Sequence, residues 1–217
     1  MFKKNLACGD GRIAEQKIRL PFLLLVILSA LGPFSMLVVV PLIPAISASF
    51  ARDYGSAQLV LSMYFIAFAF AQLTLGPLSD RFGRKPVLAV GLASYVIGSL
   101  MCWQALELEI MLLGRVFQAL GAAAGQVLTR VLLFDVYGKA RSASLIGYMT
   151  IAMVLGPMIA PIFAGFVSET IGWQNIFSFL FFASLIVFFW VLKSLPETRW
   201  LGSSQRQKPQ GLFEGLP

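Results

Sequence analysis

Two arginines, Arg115 and Arg130, stand inside an otherwise apolar stretch of this 217-residue chain. A charge at the centre of a bilayer costs about 2.5–3.5 kcal/mol on insertion scales, so each needs a reason to be there. At about 100° per residue, Arg115, Gln118, Ala122, Gln126 and Thr129 fall on one narrow helical stripe. Such a stripe is expected to face a central water-filled cavity, with Arg115, Gln118 and Gln126 as its cavity residues. Gly121 and Gly125 run beside it, two small residues that let a neighbouring helix approach closely. Arginine does not release its proton in proteins, so Arg115 biases a neighbouring group rather than carrying a proton.

The rest of the inventory is mainly exclusive. There are no histidines, which removes Ser-His and Cys-His catalysis, His-ligated metals and His-based proton sensing. Cys8 and Cys102 are too few for a disulfide framework. No G-x-x-x-x-G-K-[ST] loop is present, and no Asp or Glu lies in the middle of an apolar segment. An enzyme, a metal and a cofactor are therefore not expected. Asp80, Arg84 and Asp135 form a candidate ion cluster, with the plainer alternative that they mark solvated turns.

The elements that must position these groups are long and apolar. The chain is 58% hydrophobic and 12% charged, against about 25% charged in soluble domains. Six segments are long enough to cross a bilayer as helices: 21–48, 56–78, 86–104, 109–133, 142–167 and 174–194. The expected fold is all-α, a polytopic membrane bundle of six transmembrane helices over 21–195. It is preceded by a segment 1–20 and followed by a polar, linker-like tail 196–217. The first apolar run is too long for a cleaved signal peptide and reads as an uncleaved span.

Charge sets the orientation. Fourteen Lys and Arg residues fall on the side holding the N-terminus, the 2–3 and 4–5 connections and the C-terminus, against Arg52 alone on the other. By the positive-inside rule both termini are cytoplasmic. The net charge of +7 thus follows membrane topology rather than a nucleic-acid partner. Cys8 and Cys102 then lie on opposite sides of the membrane and cannot pair within one chain.

The densest charge sits in Gly76-Pro77-Leu78-Ser79-Asp80-Arg81-Phe82-Gly83-Arg84-Lys85-Pro86. Its two glycines and proline predict a sharp hairpin between spans 2 and 3. This stretch resembles the signature G-x-L-a-D-R-x-G-R-K of the major facilitator superfamily, with Gly76, Asp80, Arg81, Gly83, Arg84 and Lys85 in register. Leu113 to Gly125 is similar to that family's fourth-helix motif R-x-x-Q-x-x-G. Gly156-Pro157-Met158-Ile159-Ala160-Pro161-Ile162-Phe163-Ala164-Gly165 resembles its antiporter motif, and the two prolines predict a bend in span 5. Ala160-Pro161 replaces the usual glycine pair, as in the bicyclomycin/chloramphenicol-resistance branch of drug–proton antiporters. Gly32-Pro33, Pro41, Pro44 and Leu195-Pro196-Glu197-Thr198 are similar to the same branch.

The resemblance implies an efflux transporter of small hydrophobic drugs or metabolites, coupled to protons, in a bacterial inner membrane. It implies proton coupling through Arg115 and a latch of the outward-facing state at Asp80, Arg84 and Asp135. One departure stands out: Phe34-Ser35-Met36-Leu37-Val38-Val39-Val40 has no carboxylate where members of the branch commonly carry one. The group that carries the proton stays open. Superfamily members are two six-helix halves with substrate bound between them near the midplane. The sequence matches the N-terminal half, leaving three alternatives: pairing with a separate second half, pairing with itself as a homodimer, or a truncated half without transport. Lipid, a small-molecule substrate and protons complete the expected partners.

Overall fold

A computed structural model describes residues 21–195, and it forms a bundle of six membrane-length helices. These are span 1 (Phe22–Ser49), span 2 (Tyr54–Phe82), span 3 (Arg84–Trp103), span 4 (Leu108–Tyr137), span 5 (Ser142–Ile171) and span 6 (Gln174–Ser194). The segment 1–20, the tail 196–217, Cys8, Pro196, Glu197 and Thr198 lie outside the described residues. Most expected spans grow by a few residues at one or both ends, because polar residues there continue the helix. Span 2 runs on through Ser79, Asp80 and Arg81.

That extension corrects the expected hairpin. Gly76 and Pro77 are helical, and the reversal is made at Gly83 alone, whose φ of 105° suits a residue without a side chain. Its N–H closes the helix on Ser79 O at 3.0 Å. At the opposite end, Asp53 caps span 2 by accepting from the Ser56 N–H at 3.1 Å and from the Ser56 hydroxyl. These donors hold the Asp53 carboxyl below the ordinary carboxylate range.

Span 1 is broken by its own sequence. A helix from Phe22 to Leu37 gives way to a tight turn over Val40–Leu42 and then to a second helix, Ile43–Ser49. Pro41 and Pro44 lack the N–H that a continuous helix would need, so the break falls where they stand. Spans 4 and 5 are the reverse case. The backbone stays helical from Leu108 to Ile171, yet the Ser142 hydroxyl donates to Leu133 O at 2.8 Å across nine residues. In a straight helix those residues would be about 13 Å apart along the axis. The chain therefore folds back near Tyr137, and the two spans lie antiparallel. The helix also runs unbroken through Pro157 and Pro161. Neighbouring helices often let membrane spans absorb proline in this way.

Span 4 is the most buried helix and span 5 the least. Glycines set this order. A Cβ on Gly98 would sit 2.5 Å from Gly114 O, and one on Gly121 would collide with Gly91 O and the Tyr95 backbone. Spans 3 and 4 thus pack backbone against backbone. Gly125 instead faces span 1, where a Cβ would lie 2.9 Å from Leu28 O. Gly121 and Gly125 therefore serve two different neighbours rather than one. Span 6 closes the bundle beside span 3 through Trp103, Phe181 and Phe182, and Trp173 Nε1 donates to Ser49 Oγ at 2.9 Å.

Candidate functional site: a buried arginine node

Arg115 is completely buried, although it lies only seven residues in from Leu108. Its Nε donates to Val60 O on span 2 at 3.3 Å, and one terminal nitrogen donates to Ser35 O on span 1 at 3.1 Å. The other terminal nitrogen donates to Gln118 Oε1 at 2.8 Å. Beneath the guanidinium lies the Tyr64 ring, 4.1 Å from ring centre to Cζ. A buried cation is tolerated when its donors are used and an aromatic face is present. Here three helices supply what a carboxylate would otherwise supply.

A second layer holds the first in place. Gln118 Nε2 donates to Ser99 Oγ at 2.8 Å, and Ser99 in turn donates to Tyr95 O at 2.9 Å. The Tyr95 hydroxyl pairs with Ser35 Oγ in a short contact. Tyr64 OH donates to Gly32 O at 3.1 Å, next to Pro33. The Ser35 carbonyl that Arg115 holds lies just before the break in span 1. Arg115 therefore pins the hinge of span 1 to spans 2 and 4.

This placement differs from the expectation that the whole stripe lines an open cavity. Arg115, Gln118, Ala122 and Thr129 are sealed against spans 1 to 3, and Gln126 is nearly so. The reason is the close packing set by Gly98, Gly121 and Gly125, which brings the neighbouring backbones against that face between Arg115 and Gly125. Toward the Gly83 end the stripe meets other polar groups: Gln72 Nε2 donates to Gln126 Oε1 at 3.0 Å. Ser35 and Ser99 were missed by sequence reasoning. Their signal was faint, each being a single hydroxyl in an apolar span.

At the Gly83 end, Arg84 bridges Asp80 at 2.5 Å and Asp135 at 3.2 Å, and also donates to Ser79 Oγ at 2.9 Å. The structure thus brings Asp80, Arg84 and Asp135 together across spans 2, 3 and 4. Arg81 lies over the Phe82 ring, 5.4 Å from its centre, and Lys85 follows in the first turn of span 3. In span 5, Gly156 faces span 1, with Ala30 O and Phe34 Cβ 3.8 Å from a Cβ built there. Gly165 faces open space. An apolar groove of about 600 Å³ lies between spans 2, 3 and 4, with Phe117 and Leu120 on its span 4 wall and Arg115 not among its lining residues. Its hydroxyls, Thr74 and Ser94, are already bonded to main-chain carbonyls, so it offers apolar contact.

No group of three or more metal-ligating side chains occurs among the described residues. Comparison with known proteins is decisive for the family. The sequence profile described as Major Facilitator Superfamily matches residues 23–216. The chain belongs to the major facilitator superfamily. Multidrug resistance protein D of Escherichia coli (strain K12) is 29% identical over 181 residues, 82% of this chain and 45% of that protein. A chloramphenicol resistance protein of Pseudomonas aeruginosa is 32% identical over 176 residues, 78% of this chain and 42% of that protein. This major facilitator chain therefore spans less than half the length of those relatives. Among solved structures, a bacterial homologue of the human lysosomal transporter Spinster superposes with a TM-score of 0.70 at 19% identity. That match covers 82% of this chain and 43% of the other. A peptide transporter solved with alafosfalin gives 0.68 at 18% identity, over 80% of this chain and 38% of the other. Both are likenesses of fold. The chain is a multi-pass membrane protein with six membrane-length helices.

Proposed function

We propose that the chain is a six-helix unit of a proton-driven exporter of small hydrophobic or amphipathic compounds. It works against a second six-helix unit in a bacterial inner membrane, with both termini cytoplasmic. The observation that carries this reading is similarity to a multidrug resistance protein and a chloramphenicol resistance protein over about four fifths of the chain. The orientation rests on the asymmetry of Lys and Arg.

The geometry gives each candidate group a role. Arg115 holds the Ser35 carbonyl beside the span 1 break, so bending of span 1 changes the acceptors available to the guanidinium. That ties the state of span 1 to the charge balance around Arg115. Asp80, Glu109, Asp135 and Glu169 all lie within two residues of a span end. The carboxylate that takes up the proton therefore belongs to the facing unit on this reading. The Asp80–Arg84–Asp135 cluster latches spans 2, 3 and 4 at the cytoplasmic face. Gly147 and Gly165 on span 5 have no heavy atom within 4 Å of an added Cβ, leaving that helix open to a close-packed neighbour.

Drug susceptibility tests the reading. Cells expressing the chain should tolerate more chloramphenicol and ethidium than cells expressing Arg115→Ala at equal membrane levels. Equal susceptibility of the two strains would count against it.

A further inference from the structure

Arg130 mirrors Arg115 in depth and differs from it in surroundings. It lies seven residues in from Tyr137, as Arg115 lies seven in from Leu108. Where Arg115 is sealed with all three of its nitrogens hydrogen-bonded, Arg130 is exposed, and among the described residues it donates only to Met153 Sδ, at 3.8 Å. No ion pair reaches it among the described residues. Gln126 Nε2 donates to the same sulfur at 3.9 Å, so two strong donors share one weak acceptor. Gln72, exposed on span 2, joins them through its bond to Gln126. The spot is rich in donors and poor in acceptors.

Snorkelling to the membrane surface does not account for this geometry. Helical side chains tilt toward the N-terminus of their helix. For Arg130 that direction leads away from the nearer end of span 4 and into the bilayer. Its partner agrees: Met153 lies eleven residues in from Ser142, about 16 Å along the helix, against about 10 Å for Arg130 itself. The guanidinium therefore points deeper than its own Cα. No carboxylate of these six spans lies at that depth.

We propose that Arg130, with Gln126 and Gln72 beside it, binds the carboxylate of a small aromatic anion taken up as substrate. The inference rests on reading the chain as a transport unit, and it adds small aromatic anions to the compounds that unit takes up. The guanidinium supplies a planar fork matched to a carboxylate. Met153 supplies a soft, polarizable surface for the aromatic body.

A pair of probes with one ring system and opposite charge decides the matter. Pyrenecarboxylate and pyrenemethylammonium would be titrated against the purified chain in zwitterionic nanodiscs, read by pyrene fluorescence and corrected with empty discs. The carboxylate should bind at least about tenfold more tightly than the ammonium. Arg130→Gln should erase that preference and leave the ammonium unchanged, and Arg130→Lys should restore part of it. Equal binding of the two probes, or no binding of the carboxylate, overturns the proposal. So does a preference that survives Arg130→Gln, or a loss that falls equally on both probes. Binding needs no transport: a chain that shows the Arg130-dependent preference but moves no substrate sinks the transport reading and keeps this one.

Discussion

At the scale of single residues, burial distinguishes the two intramembrane arginines. Arg115 spreads three hydrogen bonds over three helices, a pattern that needs the fork of a guanidinium. Lysine keeps the charge but is a point donor on a flexible stem. Arg115→Lys should therefore insert normally yet lose about tenfold or more in efflux rate, as a lost charged hydrogen bond would predict. Wild-type efflux by that variant would show that charge alone is enough. The sequence disclosed Arg115 because a lone cation in an apolar run is conspicuous. It did not disclose Ser35 or Val60, because a main-chain carbonyl leaves no mark in sequence. Nor could helical periodicity say whether a polar stripe meets water or other helices, since both give the same spacing.

At the scale of elements, contact between helices is governed by where glycine permits backbones to meet. Gly121→Val would drive a side chain into Gly91 and Tyr95, costing about 1–3 kcal/mol of overpacking. Gly147→Val, with no heavy atom in reach, should leave melting temperature in detergent within a degree or two. Similar melting curves for the two variants would contradict the packing described. The Asp80–Arg84–Asp135 cluster gives a second contrast. Asp135 and Arg84 are both largely buried, whereas Asp80 is 57% exposed. Asp135→Asn should cost about 1.5–3 kcal/mol, and Asp80→Asn no more than about 1 kcal/mol while still slowing transport. An Asp80→Asn chain that transports at the wild-type rate would return Asp80 to the status of a solvated turn residue. The six spans were legible from hydropathy, and their ends were less so. Helices here continue into charged residues, as span 2 does through Arg81, and the turn shrinks to Gly83.

At the scale of the whole molecule, the six helices form a close-packed unit whose centre is span 4, with span 5 largely uncovered. The family was readable in the signature loop and the fourth-helix motif, and the profile match over residues 23–216 agrees. What the sequence could not reveal is what faces this unit, because one set of helices carries no direct record of its partner. The account places the titrating carboxylate in that partner and the positioning arginine here. The most direct measurement is ethidium efflux from energised vesicles holding this chain together with a six-helix unit that carries a carboxylate at membrane depth. It would be run with and without a protonophore, and repeated with Arg115→Ala. The account predicts efflux that the protonophore abolishes and that Arg115→Ala lacks. Retention of the dye by the correctly inserted wild-type pair, equal to that of vesicles holding the facing unit alone, would contradict it.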